Sequence, residues 1–442
     1  MSVRTKASRQ QAIRGSLLHF VDDPTEHDVQ GAFEYHADGV LIVEDGYIAK
    51  VGSAQELLPT LTAATTLTDC SGQLIMPGFI DAHVHFVQTD IIGSFGRRLF
   101  EWLEHYTFPA ERAFADEAHA REVAAFFIAE LLRNGTTSAL VLGSVHATSV
   151  DAIFSAGVAK GMRLIAGKVM MDRNCPDYLR DTAASSYADS LALIERWHGR
   201  ERMQYAITPR FAPTSTPEQL EKAGHLAREH PDVYVHTHLA ENEEEVAWVR
   251  QLFPERRSYL DVYDHFGLVR RRTALAHGIW LDNADLARLA VTGAALVHCP
   301  TCNLVMGSGL FDLKRATAAG VRVAVGTDVG GGTSFGLLRV LDEAYKVAQL
   351  RGHNLSPLRA FYLATLGAAR ALDLDQYIGN FRPGKEADFV VLDPAATPLL
   401  ARRTATARSL AERLFLLMTL GDDRVISRTY VMGRLEHART PS

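Results

Sequence analysis

Between residues 76 and 374, eight short apolar runs alternate with longer amphipathic stretches, and that alternation restricts the fold more than any other feature of the chain. The runs are residues 76–86, 136–142, 163–171, 203–208, 233–239, 273–279, 294–299 and 322–327. Helical patterns such as residues 117–132, 217–229 and 335–349 fall between them. Strands alternating with helices build right-handed βαβ units on a parallel sheet. Eight units in about 300 residues predict an α/β fold with a closed (β/α)8 barrel of TIM type, whose usual span is roughly 250 residues. We assign residues 76–375 to this barrel. Residues 1–75 and 376–442 carry short strand-like pieces instead, among them 40–48 with its Asp45-Gly46 turn, 387–392 and 425–434. These predict a small β-sandwich domain assembled from both chain termini.

The balance of 47% hydrophobic and 22% charged residues suits an ordinary globular chain. A net charge of −6 argues against a nucleic-acid partner, since surfaces that bind a phosphate backbone are strongly basic. No apolar run approaches the roughly 20 residues of a membrane span. Residues 1–14 are polar and basic and lack the apolar core of a signal peptide. Four cysteines in 442 residues fit a reducing compartment, so the cytoplasm is the expected location. Cys299-Pro300-Thr301-Cys302 has the spacing of redox and zinc sites, but no second pair and no upstream His-x-Glu accompany it. We read it as structural or incidental.

The ends of several candidate strands carry metal-binding or titratable groups. The first ends in His83-Val84-His85, and strand alternation sends both imidazoles to one face. With 18 histidines in the chain, about 0.7 such pairs arise by chance, so the motif alone is weak. The fifth run, however, ends in His236-Thr237-His238-Leu239-Ala240-Glu241, the sixth in His277 and the eighth in Asp328. Barrel enzymes gather their working groups at the C-terminal strand ends, so these residues would converge on one mouth. Three histidines and an aspartate there would make a nitrogen–oxygen shell suited to zinc or iron. Glu243-Glu244-Glu245 reads as a solvated face at a helix N-terminus, where the dipole favours acids.

Taken together, the motif order, metal barrel and split β-domain resemble the amidohydrolase superfamily over nearly the whole chain. The fourth run, ending near Thr208-Pro209-Arg210, offers no lysine for a bridging carbamate, and Lys168 lies on the third, so the resemblance is to the mononuclear aminohydrolase branch. Pro77-Gly78-Phe79-Ile80-Asp81-Ala82-His83-Val84-His85 followed by Gln88, then Tyr106-Thr107-Phe108-Pro109 and Glu111, then Thr208-Pro209-Arg210-Phe211, resemble its purine-deaminating members. Thr301-Cys302 departs from that pattern, where a more polar, serine-type pair is expected before Asn303.

The resemblance implies hydrolytic deamination of a purine, with guanine as the expected substrate. By the same resemblance His83, His85, His238 and Asp328 hold one Zn2+ per subunit, Fe2+ being the alternative. Glu241 moves a proton from water to the ring, Asp328 passes one to the departing amine, and His277 steadies the developing oxyanion or orients the water. Gln88 and Arg210 supply hydrogen-bonding groups for the ring edge, and Phe211 a stacking face. His236 is read as barrel packing or as support for a ligand, and His146 and His298 as possible supports. The resemblance also implies a homodimer, and the composition no nucleic-acid or membrane partner. The rivals are an aminohydrolase of the same branch acting on a pterin, an adenosine derivative or a triazine, and a barrel scaffold without catalysis.

Overall fold

The computed structural model describes residues 10–25, 29, 31–95 and 99–440, so the first nine residues of the basic N-terminal stretch lie outside it. Sixteen strands form two sheets among the described residues. Seven strands from the two ends of the chain make a separate mixed sheet: β1 (Gln10–Phe20), β2 (Phe33–Glu44), β3 (Tyr47–Ser53), β4 (Thr66–Pro77), β14 (Phe389–Leu392), β15 (Ile426–Val431) and β16 (Arg434–Ala438). Their order is β16-β15-β14-β4-β1-β2-β3. The period-2 pattern explains how this sheet serves two cores. Ile75, Phe389 and Val391 pack among its own apolar residues, while their neighbours Leu74, Met76, Val390 and Leu392 join the larger core around the barrel.

The barrel follows the eight expected runs: β5 (Phe79–His85), β6 (Thr136–Leu142), β7 (Arg163–Gly167) with the short β8 (Val169–Met170), β9 (Met203–Pro209), β10 (Tyr234–Leu239), β11 (Thr273–His277), β12 (Ala295–His298) and β13 (Arg322–Val325). Successive strands pair in parallel. The ring closes where Asp328 N donates to His83 O at 2.9 Å and His85 N to Val329 O at 2.8 Å. Asp81, fully buried, reinforces that seam by accepting from the backbone N–H of Thr327 at 3.0 Å and of His83 at 3.2 Å.

Two runs are broken where the sequence reads continuously. The first is shared, since Met76 and Pro77 finish β4 in the terminal sheet and the barrel begins at Phe79. Gly78 makes the switch possible, because a Cβ there would stand 2.2 Å from Thr137 Oγ1. The third run is interrupted at Lys168, whose buried ammonium pairs with Asp181 and donates to Val169 O at 3.3 Å.

Candidate metal centre

Alternation along β5 would put His83 and His85 on the face opposite Ile80 and Ala82, which pack in the barrel interior. A register shift between Asp81 and Val84 hands the inner face to the odd positions, so both imidazoles point inward. His238 reaches the same space from β10, and Asp328 from the turn after β13. His277 ends β11 with φ 71°, and Asp328 has φ 52°. Both are left-handed conformations uncommon outside glycine, and they re-aim the side chains at the barrel mouth.

His83, His85, His238 and Asp328 each offer one donor atom, and the four atoms lie within 4.8 Å of one another. His83 Nε2 stands 3.2 Å and His85 Nε2 3.4 Å from Asp328 Oδ1, and the Nε2 atoms of His85 and His238 are 3.1 Å apart. Ligands about 2.0–2.1 Å from a tetrahedral centre stand about 3.3 Å from each other, so the spacing suits a small divalent ion. The tautomers of His238 and His83 agree with that fit. Arg210 O accepts from His238 Nδ1 at 2.7 Å, which leaves the Nε2 lone pair free. His83 Nδ1 is 2.7 Å from His236 Nε2, and His83 Nε2 is buried without a hydrogen-bond partner among the described residues. Burial holds the pKa of His83 below the ordinary histidine value; burial, then neighbouring imidazoles, holds those of His85 and His238 well below it. Neutral imidazoles are what a metal requires. Asp328 is also buried, yet the surrounding His83, His277 and His85 outweigh that burial and keep its carboxyl far down.

Beside these four sit Glu241 and His277. Ser308 Oγ donates to Glu241 Oε1 at 2.7 Å, leaving Oε2 3.6 Å from His277 Nε2. Asn303 Oδ1 accepts from His277 Nδ1 at 2.9 Å and aims Nε2 at Glu241 and at Asp328 Oδ2, 3.7 Å away. Burial lowers the pKa of His277, but the carboxylates of Glu241 and Asp328 overcome it and raise it, the reverse of His83, His85 and His238.

One residue departs from its sequence reading here. Glu245 is buried rather than solvated. It caps the helix Glu243–Leu252 with Asn242, and its Oε2 accepts from Glu241 N at 2.8 Å while Tyr259 donates to Oε1 at 2.7 Å. Burial, with Glu241 nearby, pushes its pKa up to about 7. The spacing Asn-x-x-Glu before an apolar run is the signal that would have revealed it.

His85, His238, Asp328, Glu241 and His277 open on a cavity whose walls also include Gln88, Arg210 and Phe211. Gln88, Arg210 and Phe211 are thus gathered with the histidine cluster. His236 lies behind His83. His298 stacks on Phe311 at 4.7 Å, with Nδ1 lacking a polar partner among the described residues, and His146 stands at the N-cap position of the helix Ala147–Lys160 with no side-chain capping bond. Cys302 lines the cavity, and Cys299 lies close to His277 and Asp328. Burial raises both thiols well above their ordinary pKa, which makes them poor ligands beside neutral histidines. Thr301, at the point of departure from the expected pattern, donates to Thr327 O at 3.2 Å.

A (β/α)8 barrel with buried histidine and aspartate donors at its C-terminal mouth has the make-up of a barrel hydrolase with a candidate metal site. The chain belongs to the amidohydrolase family, whose model matches residues 74–435. It is 51% identical over 432 residues to the guanine deaminase of Escherichia coli, covering 97% of this chain and 98% of that protein. The solved structure of E. coli guanine deaminase superposes with a TM-score of 0.95 at 51% identity, across 97% of this chain and 100% of the other. A guanine deaminase from C. acetobutylicum, solved with guanine bound in its active site, matches at 28% identity with a TM-score of 0.87, across 97% and 100%.

Proposed function

We propose that the protein hydrolyses guanine to xanthine and ammonia. What supports the reading is one cavity on which a histidine–aspartate donor cluster, a held carboxylate and an arginine converge, in a chain alike along nearly its whole length to guanine deaminases. His83, His85, His238 and Asp328 would hold one divalent ion per subunit, Zn2+ first and Fe2+ as the alternative, since the same nitrogen and oxygen donors suit both. Such an ion supplies Lewis acidity, which makes water acidic enough to ionise near neutral pH.

The chain's own groups do the rest. Glu241, with Oε1 held by Ser308, takes a proton from water and delivers it to guanine N3, making C2 more electrophilic. The water oxygen bonds to C2. Asp328 carries the second water proton to the exocyclic amine, the C2–N bond breaks, and ammonia leaves. His277, aimed by Asn303, steadies the oxygen as it gains charge. Gln88 and Arg210 face the O6 and N7 edge, and Phe211 stacks on the ring. The reading extends to a homodimer in the cytoplasm without nucleic-acid or membrane partners, on the strength of family likeness, the charge of −6 and four free cysteines.

The test is ultraviolet detection of xanthine, with ammonia release, on guanine and on a panel of adenine, a pterin and a triazine. Guanine should be the preferred substrate by kcat/KM; preferential turnover of another member would overturn the assignment. Arg210→Ala is expected to raise KM for guanine at least about tenfold while metal content stays at the wild-type level. An unchanged KM would move the purine edge away from Arg210. His236→Leu is expected to weaken metal binding about 10–100-fold in chelator competition, because His83 then loses the acceptor that sets its tautomer. His236→Gln should restore it, its Oε1 accepting the same proton. Wild-type affinity in the leucine variant would leave His236 with packing alone.

A further inference from the structure

Glu111 is a fully buried carboxylate that neither the donor cluster nor the proton transfers use. It lies on the helix Phe108–Arg112, which follows the helix Leu99–Trp102 and the π-helical turn Leu103–Thr107. Such turns are frequent at functional sites. Leu99, Trp102 and Leu103 line the cavity, so the stretch that walls the substrate space also carries Glu111. Arg210 Nη1 donates to both carboxylate oxygens of Glu111, at 2.9 and 2.8 Å, and Gln88 Nε2 donates to Oε1 at 3.1 Å while standing 3.2 Å from His85 Nδ1. Gln88 is pinned at its other end as well, where Oε1 accepts from Gly330 N at 3.2 Å. Phe108 places its ring under the guanidinium, 5.6 Å from centroid to Cζ. Arg210 Nε and Nη2 have no hydrogen-bond partner among the described residues, although the residue is 3% exposed and borders the cavity.

We propose that Glu111 is a specificity-determining positioning residue, which, braced by Gln88, locks Arg210 so that the edge it turns to the substrate presents only hydrogen-bond donors. The inference rests on the guanine reading above. An arginine has no acceptor, the Gln88 oxygen is spent on Gly330, and the Glu111 oxygens are covered by Arg210. A ring carbonyl at position 6 satisfies that edge. An amine there sets donor against donor and leaves buried polar groups unpaired, the arrangement that gives the steepest discrimination between analogues. The carboxylate also balances the arginine charge, which would otherwise stand buried and uncompensated.

The test uses full-length protein carrying Glu111→Gln or Glu111→Asp, each alone and combined with Arg210→Gln. The readouts are kcat and KM for guanine, metal content, and inhibition by 2,6-diaminopurine. Glu111→Gln should raise KM at least about tenfold with kcat within about threefold and metal content unchanged. It should also narrow the preference for guanine over 2,6-diaminopurine at least about tenfold. In the Arg210→Gln background the same change should alter KM by less than about twofold, because no guanidinium remains to be positioned. Glu111→Asp keeps the charge and shortens its reach, so it should raise KM several-fold and carries the test if the glutamine variant does not fold. Wild-type KM and preference in a folded single variant, or effects that simply add in the double variant, would overturn the proposal. Wild-type protein that does not deaminate guanine would overturn the substrate reading instead, before any variant is made.

Discussion

A Glu241→Gln variant is expected to keep its metal and lose turnover by about 10²–10⁴-fold, the usual contribution of a placed general acid–base. The substitution preserves shape and the contact to Ser308, so the donor cluster should stand unchanged. What it removes is the only function assigned to that side chain, the acceptance and delivery of a proton. Its position supports the assignment: Glu241 lies three residues beyond His238 but belongs to no group of potential metal donors among the described residues. Two measurements on one preparation check it, elemental analysis for metal and the rate of xanthine formation. A metal-replete variant turning over at near the wild-type rate would take Glu241 out of the proton path.

The second large effect is expected from His238→Ala. Removing one of four donors should weaken metal binding at least about 10³-fold, which corresponds to about 4 kcal/mol. Turnover should fall with it, because the remaining three donors leave the cluster open on the side of Arg210. The variant also frees the carbonyl of Arg210, which accepts from His238 Nδ1 at 2.7 Å, so the substrate wall and the donor cluster share one hinge of backbone. Isothermal titration of metal-free protein with Zn2+ measures the change. Wild-type affinity in this variant would show that His238 is not a ligand.

Much of this architecture is legible in the chain because two periodicities coincide with chemistry. Apolar runs of strand length mark the barrel, and the residues closing them at 83, 85, 238, 277 and 328 are those that meet in space. The support beneath them is less legible. Asp81 reads as one more residue of an apolar run, yet it seals the barrel through Thr327, 246 positions away. Asn303 and Ser308 sit in a stretch without periodicity, and their partners are His277 and Glu241. Such contacts depend on how distant strand ends come together, which local patterning does not encode. Glu245 differs, because its capping pattern with Asn242 is local, but the run of three acids around it suggests a solvated face. The switch at Gly78 is hidden for a similar reason: one continuous apolar run serves two sheets, and only the approach of Thr137 shows where it divides.

Stepwise addition of Zn2+ to metal-free protein, with the rate of guanine loss followed at each addition, tests the account at its centre. Activity should be absent at the start, rise in proportion to added metal and level off at one equivalent per chain. Full activity in the metal-free protein, or a plateau only at two equivalents, would contradict it.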